Sequence, residues 1–238
     1  MNKESENKDS KKIITIAAII LTLMLSVTSA TYAYFAISAT NTAAIQGTSA
    51  NLSTDLAVTQ VSPVSGSTNT GVMVPQYSAH GNKNALGQAI TGGSNGSCVD
   101  GNKNIACKVY KITFQNKGTS GMTSKATLTL TSTMTNLKWY VLKTENNVAS
   151  VPASPTYSYP GSFSSVYGNA KSATALGTQS TTLDPNKYRY WYVAIWIEET
   201  GNDQYSADGN KSFTGTVQVD ATDSAGNVTG ITSTFTGA

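Results

Sequence analysis

Histidine is almost missing from this chain: His80 is the only one in 238 residues. A zinc-protease helix needs two histidines flanking a glutamate, so that chemistry is excluded. His80 sits in the loop-like run Ser78-Ala79-His80-Gly81-Asn82. No nucleophile elbow offers it a serine. Cysteine is scarce too. Cys98 and Cys107 are the only pair, and two thiolates without histidine fall short of a closed zinc shell. Charge is thin: Asp, Glu, Lys and Arg make up 12% of the chain, with a net charge of +3, against a usual quarter. No basic stripe stands out, which removes the electrostatic footprint of nucleic-acid binding. No glycine-rich phosphate loop is present. The sequence reads as a non-enzyme without cofactor, metal ligand set or nucleic-acid partner.

What fills the space instead is hydroxyl. There are 28 Ser and 34 Thr. Threonine suits a pleated, half-buried surface, and serine suits turns.

The N-terminus is built differently. A polar stretch ends in Lys11-Lys12, and the apolar run Ile13 to Val27 follows directly. Small residues come next, Thr28-Ser29-Ala30-Thr31-Tyr32-Ala33. These are the three parts of a secretory signal, with cleavage expected between Ala33 and Tyr34 and Ala30 as a second option. No charge falls between Lys12 and Asp55. The apolar stretch therefore also reads on to Ile37 as an uncleaved hydrophobic helix long enough to span a bilayer. Either reading sends the remainder across the cytoplasmic membrane, to the cell surface or beyond it. The expected organisation is a leader or anchor over 1–33, an extended segment over 34–50 and a β-domain over 51–238.

The two cysteines flank an Asp-Gly turn at Asp100-Gly101. In an exported chain they read as a disulfide closing a short loop.

Strand patterns run through most of the rest. Leu52, Thr54, Leu56 and Val58 alternate with smaller or polar residues, and Leu128 and Leu130 alternate with threonines. Tyr188 to Glu198 is the most apolar run after the leader, which predicts a central strand covered on both faces. The last strand is expected over about Val228 to Thr236. Residues 62–97 and 149–176 read as long loops, and no amphipathic helix pattern is visible. This is an all-β chain, expected as a jelly-roll-like antiparallel β-sandwich preceded by an N-terminal hydrophobic helix.

Several residues remain as surface candidates. Tyr157, Tyr159, Phe163 and Tyr167 cluster in a Pro/Ser-rich loop, where they could bind sugars or proteins or simply pack over the sandwich. Glu198-Glu199 reads as a strand end turning into solvent. Asp203, Asp208 and Asp220 match no known calcium-loop spacing.

Two regions carry a family resemblance. One is Thr28-Ser29-Ala30-Thr31-Tyr32-Ala33-Tyr34-Phe35, with Asn41 to Gly47 and Asn51-Leu52-Ser53 after it. The other is Tyr192 to Gln204, running on to Lys211 to Val217. Together they resemble the TasA/camelysin family of exported matrix and fibre proteins, whose leaders are cut by the SipW-type signal peptidase. The resemblance implies a jelly-roll fold and assembly into extracellular fibres such as those of a biofilm matrix. Its partners would be further copies of the chain or other matrix proteins. It also implies that the segment Tyr34 to Ser49, with Tyr34, Phe35, Ile37 and Ile45, donates a strand to the next subunit. A linker reading of that segment is equally open. A membrane-anchored adhesin and a pilin-like subunit are the rival functions. The protease activity associated with camelysin has no residues to support it here.

Overall fold

The structure, a computed structural model, describes residues 52–63, 73–78, 85–91, 97–154, 157, 174–177, 181–209 and 211–237. The expected N-terminal helix, the cleavage site at Ala33 and Tyr34, and the candidate donor residues Tyr34, Phe35, Ile37 and Ile45 lie outside them. Among the described residues no helix is long and apolar enough to cross a membrane.

Among the described residues eight strands and two short helices follow in order: β1 (Thr54–Ser62), α1 (Ala85–Thr91), β2 (Lys108–Asn116), β3 (Met122–Ser132), β4 (Leu137–Val148), β5 (Thr174–Ala175), β6 (Tyr188–Ile197), α2 (Tyr205–Asp208), β7 (Phe213–Asp223) and β8 (Val228–Gly237). They form two antiparallel sheets, a front sheet ordered β1-β2-β6-β4 and a back sheet ordered β5-β3-β7-β8. The expected two-sheet sandwich is present. Its connectivity is more specific than expected. With the two-residue β5 set aside, β1-β2-β6-β4 against β3-β7-β8 reproduces the ABED and CFG order of immunoglobulin constant-type sandwiches. A jelly roll would nest its strands as two Greek keys.

The side-chain period of two divides β6 cleanly. Trp191, Val193, Ile195 and Ile197 join Trp139, Ile112, Phe114, Leu128, Val217 and Val219 in the core between the sheets. Tyr190, Tyr192, Ala194 and Trp196 point the other way, into a second apolar layer on the outer face of the front sheet. That is why the run from Tyr188 is nearly continuous in apolar residues. Each large side chain fully buried here contributes roughly 2–3 kcal/mol.

The outer layer has its own lid. Helix α1 was not anticipated: it lies inside the expected 62–97 loop and presents Leu86 and Ile90 to Trp196 and its neighbours. Cys98 and Cys107 belong to the same layer, form a disulfide with Cα atoms 5.0 Å apart, and are fully buried. The Cys98 amide donates to Ala89 O at the helix (3.1 Å). The bridge therefore holds both the 98–107 loop and the helix against the sheet. Closing a loop this short stabilises by roughly 2–3 kcal/mol on chain-entropy grounds.

The two sheets differ in regularity. The front sheet slips register between Gln60 and Ser62, Val141 and Lys143, and Glu145 and Val148. The back sheet runs without a slip through β3, β7 and β8. At its far end Gly215 pairs with Phe235 and Phe213 pairs with Gly237. A Cβ on either glycine would run into the ring opposite, so the two missing side chains make room for two phenyl rings. Tyr110 from the front sheet closes this cluster. Its ring lies 4.2 Å from that of Phe235, and its hydroxyl donates to Thr236 O (3.1 Å).

Candidate functional site

Acidic side chains were the only candidates for chemistry after β6, and the structure employs them as hydrogen-bond acceptors. Asp208 in α2 is almost fully buried. Its Oδ1 accepts from the amides of Thr135 (2.8 Å) and Asn136 (3.0 Å), and its Oδ2 accepts from Asn136 Nδ2 (2.8 Å) and Gln204 Nε2 (2.9 Å). Four donors saturate the carboxylate and tie the β3–β4 turn to α2. Glu198 does not turn into solvent as expected. Its Oε2 accepts from Trp196 Nε1 (2.8 Å) and its Oε1 from the Ser78 amide (3.0 Å). It thus fastens the segment around Gln76 alongside the end of β6, where Gln76 and Glu198 form a parallel bridge. Glu199 Oε1 accepts from the Gly201 amide (2.6 Å).

Glu199, Asp203 and Asp208 line a pocket of about 430 Å³ together with the apolar residues Met73, Val74, Pro75 and Ile197. Asp220 lies elsewhere, in the back sheet, where its backbone is in register with Lys125 and its carboxylate accepts from Gln218 Nε2 (2.9 Å). The three aspartates singled out by the sequence are therefore not brought together. Among the described residues no group of three or more Asp, Glu, His or Cys is placed to hold a metal ion.

Two turns repeat one device that the sequence reading passed over. Asp100 accepts from the amides of Asn102 (2.9 Å) and Asn104 (2.8 Å) and from Asn104 Nδ2 (3.0 Å). Asp223 does the same with Ala225 (2.9 Å), Asn227 (2.9 Å) and Asn227 Nδ2 (2.8 Å). Both are Asp-x-x-x-Asn, a spacing visible in the sequence. Aspartate favours such turns because its carboxylate replaces a backbone acceptor.

The same bonds move the acidity of these groups. Burial raises the pKa of Asp208 and Asp100. Asn136, Gln204 and Thr135 for the first, and Asn104 and Asn102 for the second, outweigh burial and hold each carboxyl below its ordinary value. Asn227 does most to lower Asp223, against a smaller effect of burial. A carboxylate depressed in the folded state stabilises the fold above its unfolded pKa of about 4, and that contribution fades as pH falls through the folded value. We expect the melting temperature to stay flat from neutral pH to about 5 and to fall steeply below about 4. Circular-dichroism melts across this range check it. An onset of destabilisation near pH 6 would contradict it.

Of the candidate loop aromatics, only Tyr157 is described. Its ring lies 5.0 Å from that of Tyr192 against the outer layer, and burial pushes its pKa up to about 12. Tyr159, Phe163 and Tyr167 lie outside the described residues, as does His80.

The sheet edges differ in how they are guarded. Natural sheets protect edges with charge, proline, bulges or brevity. Strand β1 carries Asp55, bonded to Lys117 (2.7 Å), slips register near Gln60 and runs into Pro63. Strand β4 has Lys138, Lys143 and Glu145 and two register slips. On the third edge, β5 is two residues long and pairs with Thr127 and Leu128 of β3. Strand β8, Val228-Thr-Gly-Ile-Thr-Ser-Thr-Phe-Thr-Gly237, has no charge, no proline and no slip. Among the described residues nothing pairs with its outer side. This strand, together with the disulfide-clamped outer layer, defines the class: an all-β, immunoglobulin-ordered sandwich with one edge strand that carries no charge, proline or register slip.

No protein-family model matches the chain. No curated protein matches it either. Among solved structures, it is similar to the crystal structure of a FixG-related protein from Vibrio parahaemolyticus. That similarity comes with 9% identity and a TM-score of 0.26, and covers 76% of this chain and 94% of the other.

Proposed function

We propose that the chain is a structural subunit of an extracellular or cell-surface fibre or matrix, and that it assembles by strand addition. The observation that carries this reading is β8, a ten-residue edge with no charge, no proline and no register slip, to which no described strand is hydrogen-bonded on its outer side. An extended, uncharged segment adds to such an edge through backbone hydrogen bonds. Residues 34–49 have that composition: no charge, and an abundance of Ala, Thr and Ile. The disulfide supports an oxidising compartment. The resemblance of the leader and of the Tyr192–Gln204 region to the TasA/camelysin family points the same way. The chain would act through its surfaces, with copies of itself or other matrix proteins as partners and a signal peptidase during export.

The purified exported chain should form filaments under the electron microscope. Deleting residues 34–49 should leave folded monomers. The double substitution Thr232→Lys and Thr234→Lys, on the exposed face of β8, should also suppress assembly while leaving the circular-dichroism spectrum unchanged. Filaments that persist in either variant would rule out this mode of assembly.

A further inference from the structure

Strand assembly leaves the pocket beyond the end of β6 without a use, since no residue of β8 lines it. Its volume of about 430 Å³ lies within the range of small-ligand sites. Met73, Val74, Pro75 and Ile197 supply apolar wall, and Glu199, Asp203 and Asp208 supply negative charge. No Lys, Arg or His stands among the described residues that line it.

Asp208 is the unusual member. It is 1% exposed. Its four donors are the amides of Thr135 and Asn136 and the side-chain amides of Asn136 and Gln204, and all are neutral. Among the described residues it has no cationic partner. A buried carboxylate is ordinarily paired with a cation. Here the charge is fixed in place, left uncompensated, and set beside a cavity. Lys211 follows closely in sequence, but its ammonium donates to the carbonyls of Ala207 and Thr133. Glu199 adds a second charge. Its Oε1 accepts from the Gly201 amide, and its Oε2 has no partner among the described residues.

These groups select the kind of cation. A carboxylate has about four acceptor sites, and Asp208 has filled them, so it acts on a ligand through its field alone. Apolar, low-dielectric walls strengthen that field. A calcium ion needs six or more oxygen ligands, and the described residues offer no group of three or more placed to hold a metal. An organic ammonium needs only one or two acceptors and gains from apolar contact along its stem. We propose that this pocket binds an ammonium group carried on an aliphatic stem, the chemistry shared by a lysine side chain and a free alkyl diamine. The cation faces Glu199 and Asp208, and the stem lies against Met73, Pro75 and Ile197.

The test is saturation-transfer NMR on the secreted chain, which reads ligand protons whether the protein is single or assembled. Two probes bring the ammonium from different sources: 1,5-diaminopentane, and a capped peptide with one lysine between alanines. The same peptide with norleucine for lysine has the stem without the charge. The amines should bind with a Kd of about 1 mM or tighter, and the norleucine peptide about tenfold more weakly or not at all. Added salt should weaken the amines. Glu199→Gln combined with Asp203→Asn should weaken them about tenfold with an unchanged thermal melt. Glu199→Gln alone serves should the double variant misfold. Asp220→Asn, in the back sheet, should bind as wild type. Tighter binding of the peptide would assign the site to a partner protein, and tighter binding of the diamine to a small amine; either upholds the proposal. Absence of amine binding would overturn it. So would equal binding of the norleucine peptide, or full affinity in a folded Glu199→Gln variant. Filament formation does not enter this readout, so failure of the assembly reading is distinguishable from failure of this one.

Discussion

Arg189→Ala is expected to destabilise the domain by about 4 kcal/mol, because several buried acceptors lose their donors at about 1–3 kcal/mol each. Arg189 sits in β6 with its side chain on the inner face and is 1% exposed. Among the described residues it has no carboxylate partner. Its Nη1 donates to Ser124 O (3.1 Å) and Ser124 Oγ (2.6 Å), and its Nη2 donates to Thr181 O (2.6 Å) and Thr181 Oγ1 (2.9 Å). Ser124 belongs to β3, so the guanidinium reaches from the front sheet to the back. Removing it leaves these oxygens short of donors and opens a hole among packed side chains, both of which cost stability. Arg189→Lys should rescue little, since an ammonium cannot reproduce the planar fork that serves two residues at once. Urea titration checks this: the midpoint should drop with the slope unchanged. A loss under 1 kcal/mol for Arg189→Ala would show that the four bonds are dispensable.

Gly215→Val should be the second large effect, a loss of about 3 kcal/mol from overpacking. Its new Cβ would fall within the ring of Phe235, which is itself wedged against Tyr110. The ring cannot swing away without leaving the core. Phe235→Ala alone is also destabilising, by about 3–5 kcal/mol. The informative quantity is their combination. Phe235→Ala should absorb much of the valine penalty, so the double variant should be more stable than the sum of the two single losses implies. Additive losses would mean that the glycine is present for some reason other than the ring.

Strand periodicity made most of the sandwich readable before the structure. The alternation from Leu52 to Val58 marks β1, the Leu128–Leu130 alternation marks β3, and Val228 to Thr236 falls within β8. The double burial of β6 followed from its near-continuous apolar run, and the disulfide followed from two cysteines flanking a turn. What escaped notice did so for physical reasons. Helix α1 has seven residues, less than two full turns, and Leu86 and Ile90 alone cannot reveal a period of 3.6. Its stability comes from the surface it covers, which no local pattern reports. Arg189 did leave a signal: one arginine within an otherwise apolar central strand. Its partner Ser124 lies 65 residues away, and Thr181, though eight residues away, sits in a connection with no strand pattern, so the signal could be noticed but not resolved. The open edge was hidden for the same reason. That β8 ends a sheet is a fact of topology, and only the absence of charge in Val228 to Gly237 could be read directly.

The position of the disulfide has a consequence for how the chain matures. Both cysteines are fully buried in the same apolar layer as Leu86, Ile90 and Trp196, out of reach of solvent. Thiol–disulfide exchange needs an attacking thiolate to approach in line with the sulfur. An oxidoreductase can therefore meet Cys98 and Cys107 only while the helix is still undocked. Once it has settled, the bond is insulated from the redox state of the surroundings, and a reductant added to the finished protein must wait for the lid to lift.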